Sequence, residues 1–203
     1  MIRSVLYDQQ EILKAINELH MKEWYEVDIT YGNGSFWKGL ERPEYCLDIE
    51  PLKSHVIESS SINLPFKENS IKSIVFDPPF LTYVKSAREH NSIMAKRFGG
   101  YWRYDELELH YKSTLREVYR VLEKKGIMVF KCQDIIHNHK MHSTHINTVN
   151  WAGEIGLRLK DMFVLPAKNR IPMPEKEGEK KRVQKHARIF HSYFLVFEKG
   201  AKK

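Results

Sequence analysis

Cysteine is scarce: 203 residues contain only Cys46 and Cys132. Both fall in segments that read as strands, so they are expected as core thiols in a reducing compartment. No Cys-x-x-Cys or His-Glu-x-x-His pattern is present. That leaves His137, His139, His142 and His145 as surface or loop histidines, and no metal is expected. No apolar run approaches the length of a membrane span. The first residues, Met1 to Asp8, lack a signal-peptide pattern. Internal repeats and low-complexity tracts are missing too. These absences lead to the expectation of a cytoplasmic, globular protein. What remains is ordinary in bulk, with 42% hydrophobic and 29% charged residues, and the length suits one domain, 1–203, with a substantial core.

The net charge is +7, and it is unevenly spread. Residues 81–104 hold Lys85, Arg88, Lys96, Arg97 and Arg103 against Glu89, a local +4. Residues 166–188 hold eight basic residues, among them Lys180, Lys181 and Arg182, against three glutamates, a local +5. The rest of the chain is therefore slightly acidic. Both segments read as loops. Such runs are often solvated faces, but two on one side of a fold make an anion-binding surface. Tyr83, Phe98, Tyr101, Trp102 and Tyr104 punctuate the first loop, as suits either unstacked bases or a lid packed on its own body. Gly99-Gly100 is a candidate hinge for such a lid.

Hydrophobic periodicity supplies the frame. Asp8-Gln9-Gln10-Glu11 resembles a helix cap, and Ile12, Ala15, Ile16 and Leu19 follow at helical spacing. Strands are expected at 25–30, 45–49, 61–63 and 71–76. A helix starting near Asp105-Glu106-Leu107-Glu108 carries Leu107, Tyr111, Leu115, Val118 and Leu122 on one face, and Gly126 is expected to end it. A buried strand follows at Ile127 to Lys131. A helix is expected over 143–154, then strands over Leu157 to Leu165 and Ile189 to Phe197. Strands alternating with helices imply an α/β domain with a mostly parallel sheet. The last two strands, with no helix between them, imply an antiparallel pair.

Three motifs sit where the carboxyl ends of such strands would lie, the edge at which open α/β sheets bind ligands. The first is Asp28-Ile29-Thr30-Tyr31-Gly32-Asn33-Gly34-Ser35-Phe36. Its glycines allow a tight turn and close approach of backbone to a ligand, but Trp37 rules out a G-x-G-x-x-G fingerprint and the pair also suits a plain turn. The second is Asp48, an acid placed to accept hydrogen bonds from ribose hydroxyls or simply to face solvent. Asn63 is either a contact to an adenine edge or a turn asparagine. The third motif is Asp77-Pro78-Pro79-Phe80. Proline fixes its own φ and extends the residue before it. A carboxylate and the Pro78 carbonyl, side by side, suit a planar –NH2 group, and Phe80 suits a flat ring. A strand-ending turn is the other reading.

In this order the motifs resemble the class I S-adenosylmethionine-dependent methyltransferases that act on amino groups, over nearly the whole chain. Asp28-x-x-x-Gly32-x-Gly34-x-Phe36 is similar to their cofactor loop, which also includes Tyr31. Asp48 is similar to their ribose-binding acid, Asn63-Leu64-Pro65-Phe66 to their adenine-proximal segment, and Asp77-Pro78-Pro79-Phe80 to their D/N/S-P-P-Y/F motif. Arg120 to Gly126 and His191 to Phe197 resemble the junction before the fifth strand and the last strand. Small bacterial and phage DNA adenine or cytosine amino-methyltransferases are the nearest likeness. The resemblance implies a Rossmann-like fold with a seven-stranded sheet, mostly parallel with an antiparallel last strand, and helices on both faces. It implies S-adenosylmethionine as cofactor and a nucleic acid as partner, DNA before RNA. The activity implied is methyl transfer to a base amine, adenine N6 first. RNA bases, a protein glutamine amide and an idle binding subunit are the alternatives. No segment is long enough for a separate target-recognition domain, so the two basic loops are the expected substrate contacts.

If the 166–188 loop grips a nucleic-acid backbone, its cations release counterions on binding. Replacing Lys180, Lys181 and Arg182 by Ala is expected to weaken DNA binding and to flatten its salt dependence, by about 0.9 in log–log slope for each phosphate no longer neutralised. Affinity measured at several salt concentrations checks this. An unchanged slope would mark the loop as solubilising only.

Overall fold

The computed structural model describes residues 1–82, 101, 103–167 and 184–200. Helix α1, Gln9–His20, begins where Asp8 Oδ1 accepts the amides of Gln10 at 2.8 Å and Glu11 at 3.1 Å. That satisfies two donors the first helical turn would otherwise leave open. Strands β1 (Val27–Asp28), β2 (Tyr45–Asp48), β3 (Ile57–Glu58) and β4 (Ile71–Phe76) follow. Helix α2, Tyr104–Val121, leads into β5, Leu122–Cys132. A small hairpin, β6 (Ile135–His137) and β7 (Lys140–His142), precedes helix α3, Thr144–Glu154. Strands β8 (Leu157–Pro166) and β9 (His191–Lys199) complete the sheet.

The seven-stranded sheet has the order β3-β2-β1-β4-β5-β9-β8. The pairs from β3 through β5 are parallel, and β9 lies antiparallel between β5 and β8. The expected architecture is therefore present. Because β9 is reversed against both neighbours, β8 runs with the parallel strands. Its end at Pro166 reaches the same carboxyl edge as the ends of β1, β2 and β4.

Period-two alternation sorts the strands' side chains onto two faces. Ile74, Phe76, Met128, Phe130, Leu195 and Phe197 pack with Leu107, Tyr111, Leu115 and Val118 of α2. Val75, Ile127, Val129, Phe194 and Val196 pack with Ile12, Leu13 and Ile16 of α1. Phe76, Phe130, Phe194 and Phe197 are fully buried, each contributing about 1.5–3 kcal/mol by leaving water. Helices on both faces are what a buried parallel sheet requires.

Several local expectations need correction. The third strand is Ile57–Glu58, not 61–63; Ser60 and Asn63 instead form a turn in which Asn63 N–H donates to Ser60 O at 3.0 Å. The cap of α2 is Arg103, ahead of Asp105. Gly126 does not end that helix, which stops at Val121 while Leu122 already begins β5. Between the pairs Ile71–Leu122 and Ser73–Ile127, β4 advances two residues and β5 five, so the chain bulges at 123–126. Lys125 takes the left-handed backbone there, φ 68°. Gly126 is needed for space: a Cβ would sit 2.9 Å from Glu123 O and 3.2 Å from Ile71 O. The β6–β7 hairpin has no counterpart in the periodicity, because its strands are three residues each. Asn138 and His139 turn it, both with positive φ, the geometry of a two-residue hairpin loop.

Gly126→Ala is expected to destabilise the protein by about 1–3 kcal/mol, the cost of forcing an extra carbon into packed backbone. Urea unfolding of the variant against the parent measures it.

Candidate active site

β1 ends at a carboxylate that has no solvent exposure, Asp28. Its Oδ1 accepts Thr30 N–H at 2.8 Å and its Oδ2 accepts Trp37 Nε1–H at 2.6 Å. Asp28 thus ties the start of the glycine turn to its end, and acts on any ligand through the turn. Burial pushes its carboxyl up from the usual 3.8 to about 7, against the pull of the Trp37 and Thr30 hydrogen bonds. Between these anchors Gly32 and Gly34 adopt φ 54° and 78°, which side chains rarely tolerate. A Cβ on Gly34 would lie 2.7 Å from the Tyr31 hydroxyl, so that glycine also makes room for the Tyr31 ring. Above Gly32 the space is open. Phe36 is buried beneath the turn.

The neighbouring strand brings Asp48. Its Oδ2 accepts Gly32 N–H at 2.7 Å and its Oδ1 accepts Glu50 N–H at 2.9 Å. A carboxylate has about four acceptor positions, so Asp48 fixes the turn and retains capacity for a ligand's hydroxyls. It is half-buried.

On the other side of β1, strand β4 delivers Asp77-Pro78-Pro79-Phe80. Asp77 N–H donates to the Thr30 hydroxyl at 2.8 Å, so one side chain couples the turn after β1 to the motif after β4. Pro79 O accepts the Tyr111 hydroxyl of α2 at 3.0 Å. Pro78 is buried, and Phe80 is half-buried against the α2-side core. Asp77 keeps 23% of its side-chain surface exposed, and Lys131 Nζ lies 3.5 Å from its Oδ1. Burial pushes the Asp77 carboxyl up, and the Lys131 ammonium pulls it back down.

Asn63 is exposed, one residue before a pinned segment. Glu117 accepts Leu64 N–H at 2.7 Å, and Arg120 donates to Phe66 O at 2.9 Å and Leu64 O at 3.2 Å. The long connection after Phe80 begins and ends at one place, since Tyr101 N–H donates to Leu81 O at 3.0 Å. The Tyr101 hydroxyl then bonds His110 Nδ1, and His110 Nε2 bonds Ser61 Oγ at 2.8 Å. Burial lowers the pKa of His110, favouring the neutral ring that can link a donor to an acceptor. Arg103 is exposed at the head of α2 and paired with Asp105 at 3.1 Å. Lys85, Arg88, Lys96, Arg97, Lys180, Lys181 and Arg182 lie outside the described residues.

Sequence reading missed Thr30, Trp37, Tyr111 and Lys131. Trp37 and Thr30 were visible as polar atoms inside the turn. Lys131 was visible as a cation closing the apolar run Ile127 to Phe130. Tyr111 reads only as a core aromatic until its hydroxyl is placed. Among the described residues no cluster of three metal-ligating side chains occurs, and no helix is long and apolar enough to cross a membrane.

Asp28 binds its proton more tightly folded than unfolded, so the native state holds more protons between pH 4 and 7. Its contribution to stability therefore falls as pH rises through that window, by on the order of 4 kcal/mol in all. Asp28→Asn has no such titration. The stability difference between variant and parent, from urea unfolding at pH 4, 6 and 8, is expected to move in the variant's favour as pH rises.

No protein-family model and no curated protein matches the chain. Solved structures do. A Thermus thermophilus protein provisionally assigned as a DNA modification methylase is 16% identical, covering 71% of this chain and 53% of its own, with a TM-score of 0.47. The chain thus spans about half that protein's length. A Galdieria sulphuraria protein provisionally assigned as a sarcosine dimethylglycine methyltransferase is 16% identical over 92% of this chain and 82% of its own, TM-score 0.53. A Methanosarcina mazei S-adenosylmethionine-dependent methyltransferase is 11% identical over 92% and 98%, TM-score 0.52. At these identities the likeness is one of architecture: the chain has the Rossmann-like fold of class I methyltransferases.

Proposed function

We propose that the protein transfers a methyl group from S-adenosylmethionine to the exocyclic amine of a nucleic-acid base, adenine N6 in DNA first. The observation that carries this reading is the placement of Asp77-Pro78-Pro79-Phe80. It leaves β4 beside the glycine turn of β1, and the Thr30 hydroxyl fastens the two together. An acceptor for an amine and a turn suited to a nucleotide-like cofactor therefore share one edge.

The residues fit the cofactor. Asp48 offers spare acceptor positions for ribose hydroxyls, and the open space over Gly32 admits a ligand close to backbone. Asp28 and Trp37 hold that turn from beneath. When bound, S-adenosylmethionine supplies a sulfonium methyl, an electrophile that needs no metal.

Asp77 and the Pro78 carbonyl accept hydrogen bonds from the two amine N–H groups, which turns the nitrogen lone pair out of the ring's conjugation; as the N–C bond forms and the S–C bond breaks, the electron pair would stay on sulfur, and the nitrogen would lose its surplus proton to solvent. Phe80 offers an aromatic face to the base, and base–aromatic stacking is worth about 1–3 kcal/mol. The base must leave its stack to reach this edge. Orientation and fixed acceptors account for the rate. The two basic segments support a polyanionic substrate over a protein glutamine, since together they carry more than the whole net charge.

The test is methyl transfer from tritiated cofactor to DNA, RNA and protein in parallel, followed by nucleoside mass spectrometry. Label in N6-methyladenine of DNA is expected. Label in RNA alone would move the substrate to RNA, and no label in any would leave an idle binding fold. Asp77→Ala is expected to keep cofactor binding and lose about 10²-fold or more in kcat, by analogy with removing one preorganised transition-state contact. Near-normal turnover would refute the acceptor role.

A further inference from the structure

We infer that Lys131 is a positioning residue that keeps Asp77 ionised and aimed. The inference rests on the proposed amino-methyl transfer. Lys131 leaves β5 on the α1 side of the sheet, the side that also receives Asp77 from the adjacent β4. Its ammonium lies over two rings, with Nζ 5.3 Å from the Phe36 centroid and 5.5 Å from that of Phe194. Only 13% of the side chain is exposed. Nζ donates to Gln9 Oε1 at 2.9 Å, and Gln9 Nε2 donates to Phe36 O at 2.8 Å. The ammonium is therefore held by α1 and by the cofactor turn at once, 3.5 Å from Asp77 Oδ1.

The chemistry gives this cation a task. An amine acceptor must be a carboxylate, because a protonated acid presents a donor where an acceptor is needed. Protein around Asp77 disfavours its charge. The titratable groups coupled to it are the Asp28 carboxyl of β1, which burial keeps able to hold a proton up to about pH 7, and the neutral Tyr111 hydroxyl, which faces the motif from α2. Among the described residues, the group that favours the ionised form of Asp77 is Lys131. An ammonium set over two rings and fastened to Gln9 holds its distance better than a free surface lysine would. It also occupies one side of Oδ1, which leaves the rest of the carboxylate for the amine.

Lys131→Met keeps the length and removes the charge; Lys131→Arg keeps the charge. The readout is kcat for methyl transfer across pH 5 to 9, with calorimetric binding of S-adenosylmethionine measured alongside. Losing a cation within about 4–6 Å raises a carboxylate pKa by about 1–3 units, so the acid limb for Lys131→Met is expected to move up by that much. Turnover should recover as pH rises, and Lys131→Arg should stay near the parent profile. An unmoved acid limb would overturn the inference. So would a loss of turnover equal at all pH values with weakened cofactor binding, which is what a merely structural lysine predicts. A parent protein that transfers no methyl refutes the proposed function itself, a separate result. If Lys131→Met does not fold, carboxyl NMR titration of Asp77 in the parent decides instead: the Lys131 side-chain signal must respond at the Asp77 midpoint, and a silent signal refutes the coupling.

Discussion

The carboxyl edge of this sheet depends on one buried carboxylate. Asp28 is enclosed, yet each of its oxygens receives a strong donor, from Thr30 and from the Trp37 indole. An enclosed carboxylate without partners would be costly. With two donors it becomes a clamp that closes the turn from 30 to 37. Thr30 then passes the constraint on, its amide held by Asp28 and its hydroxyl holding the amide of Asp77. The turn after β1 and the motif after β4 are thereby one object, and their relation does not rely on flexible loops. On the proposed reading, a site that places a methyl donor against an acceptor needs this kind of rigidity.

The two faces of the sheet divide the work. On one side α2 reaches the edge from beneath, its Tyr111 fastening Pro79 and its Glu117 and Arg120 fastening Leu64 and Phe66. On the other, α1 supplies Gln9 to the turn and to Lys131. Each helix buries a conventional apolar stripe and spends a few polar atoms on the edge. That is why the polar contacts fall at positions the hydrophobic pattern treats as incidental.

This division explains what could be read from the chain. β4 was legible because Ile71 to Phe76 is a buried run closed by Asp-Pro-Pro. α1 was legible because Asp8 and the spacing of Ile12 and Ile16 agree. The mostly parallel sheet with its antiparallel close followed from alternation of elements and the missing helix before β9, whereas the strand order did not show in the chain. Gly126 misled because a glycine after a helical face usually caps it, whereas here it lets β4 and β5 approach at a bulge. β3 misled because it is two residues long with both exposed, and so leaves no pattern to find. Asp28 was legible as a motif position, but its neighbours' roles were not, since a tryptophan indole and a threonine hydroxyl acquire meaning only when the turn closes on them.

Electrostatics gives the edge its character. Asp28, Asp48 and Asp77 end three adjacent strands, and the charges on Asp48 and Asp77 help to hold the Asp28 proton in place. Such a cluster disfavours anions and welcomes positive charge. Lys131 supplies one cation from within the fold. A sulfonium, on the proposed reading, would supply a second at the moment it is needed, and the charge vanishes from sulfur as the methyl departs. The carboxylates would then hold the charged donor more firmly than its neutral product, which favours release after transfer. The excess positive charge sits elsewhere, in the segments around 81–104 and 166–188, one beginning after β4 and the other after β8 at this same edge. On the proposed reading, the acidic edge suits a cationic cofactor and the basic segments a polyanionic substrate, and that edge follows from the topology: strands that end on one side.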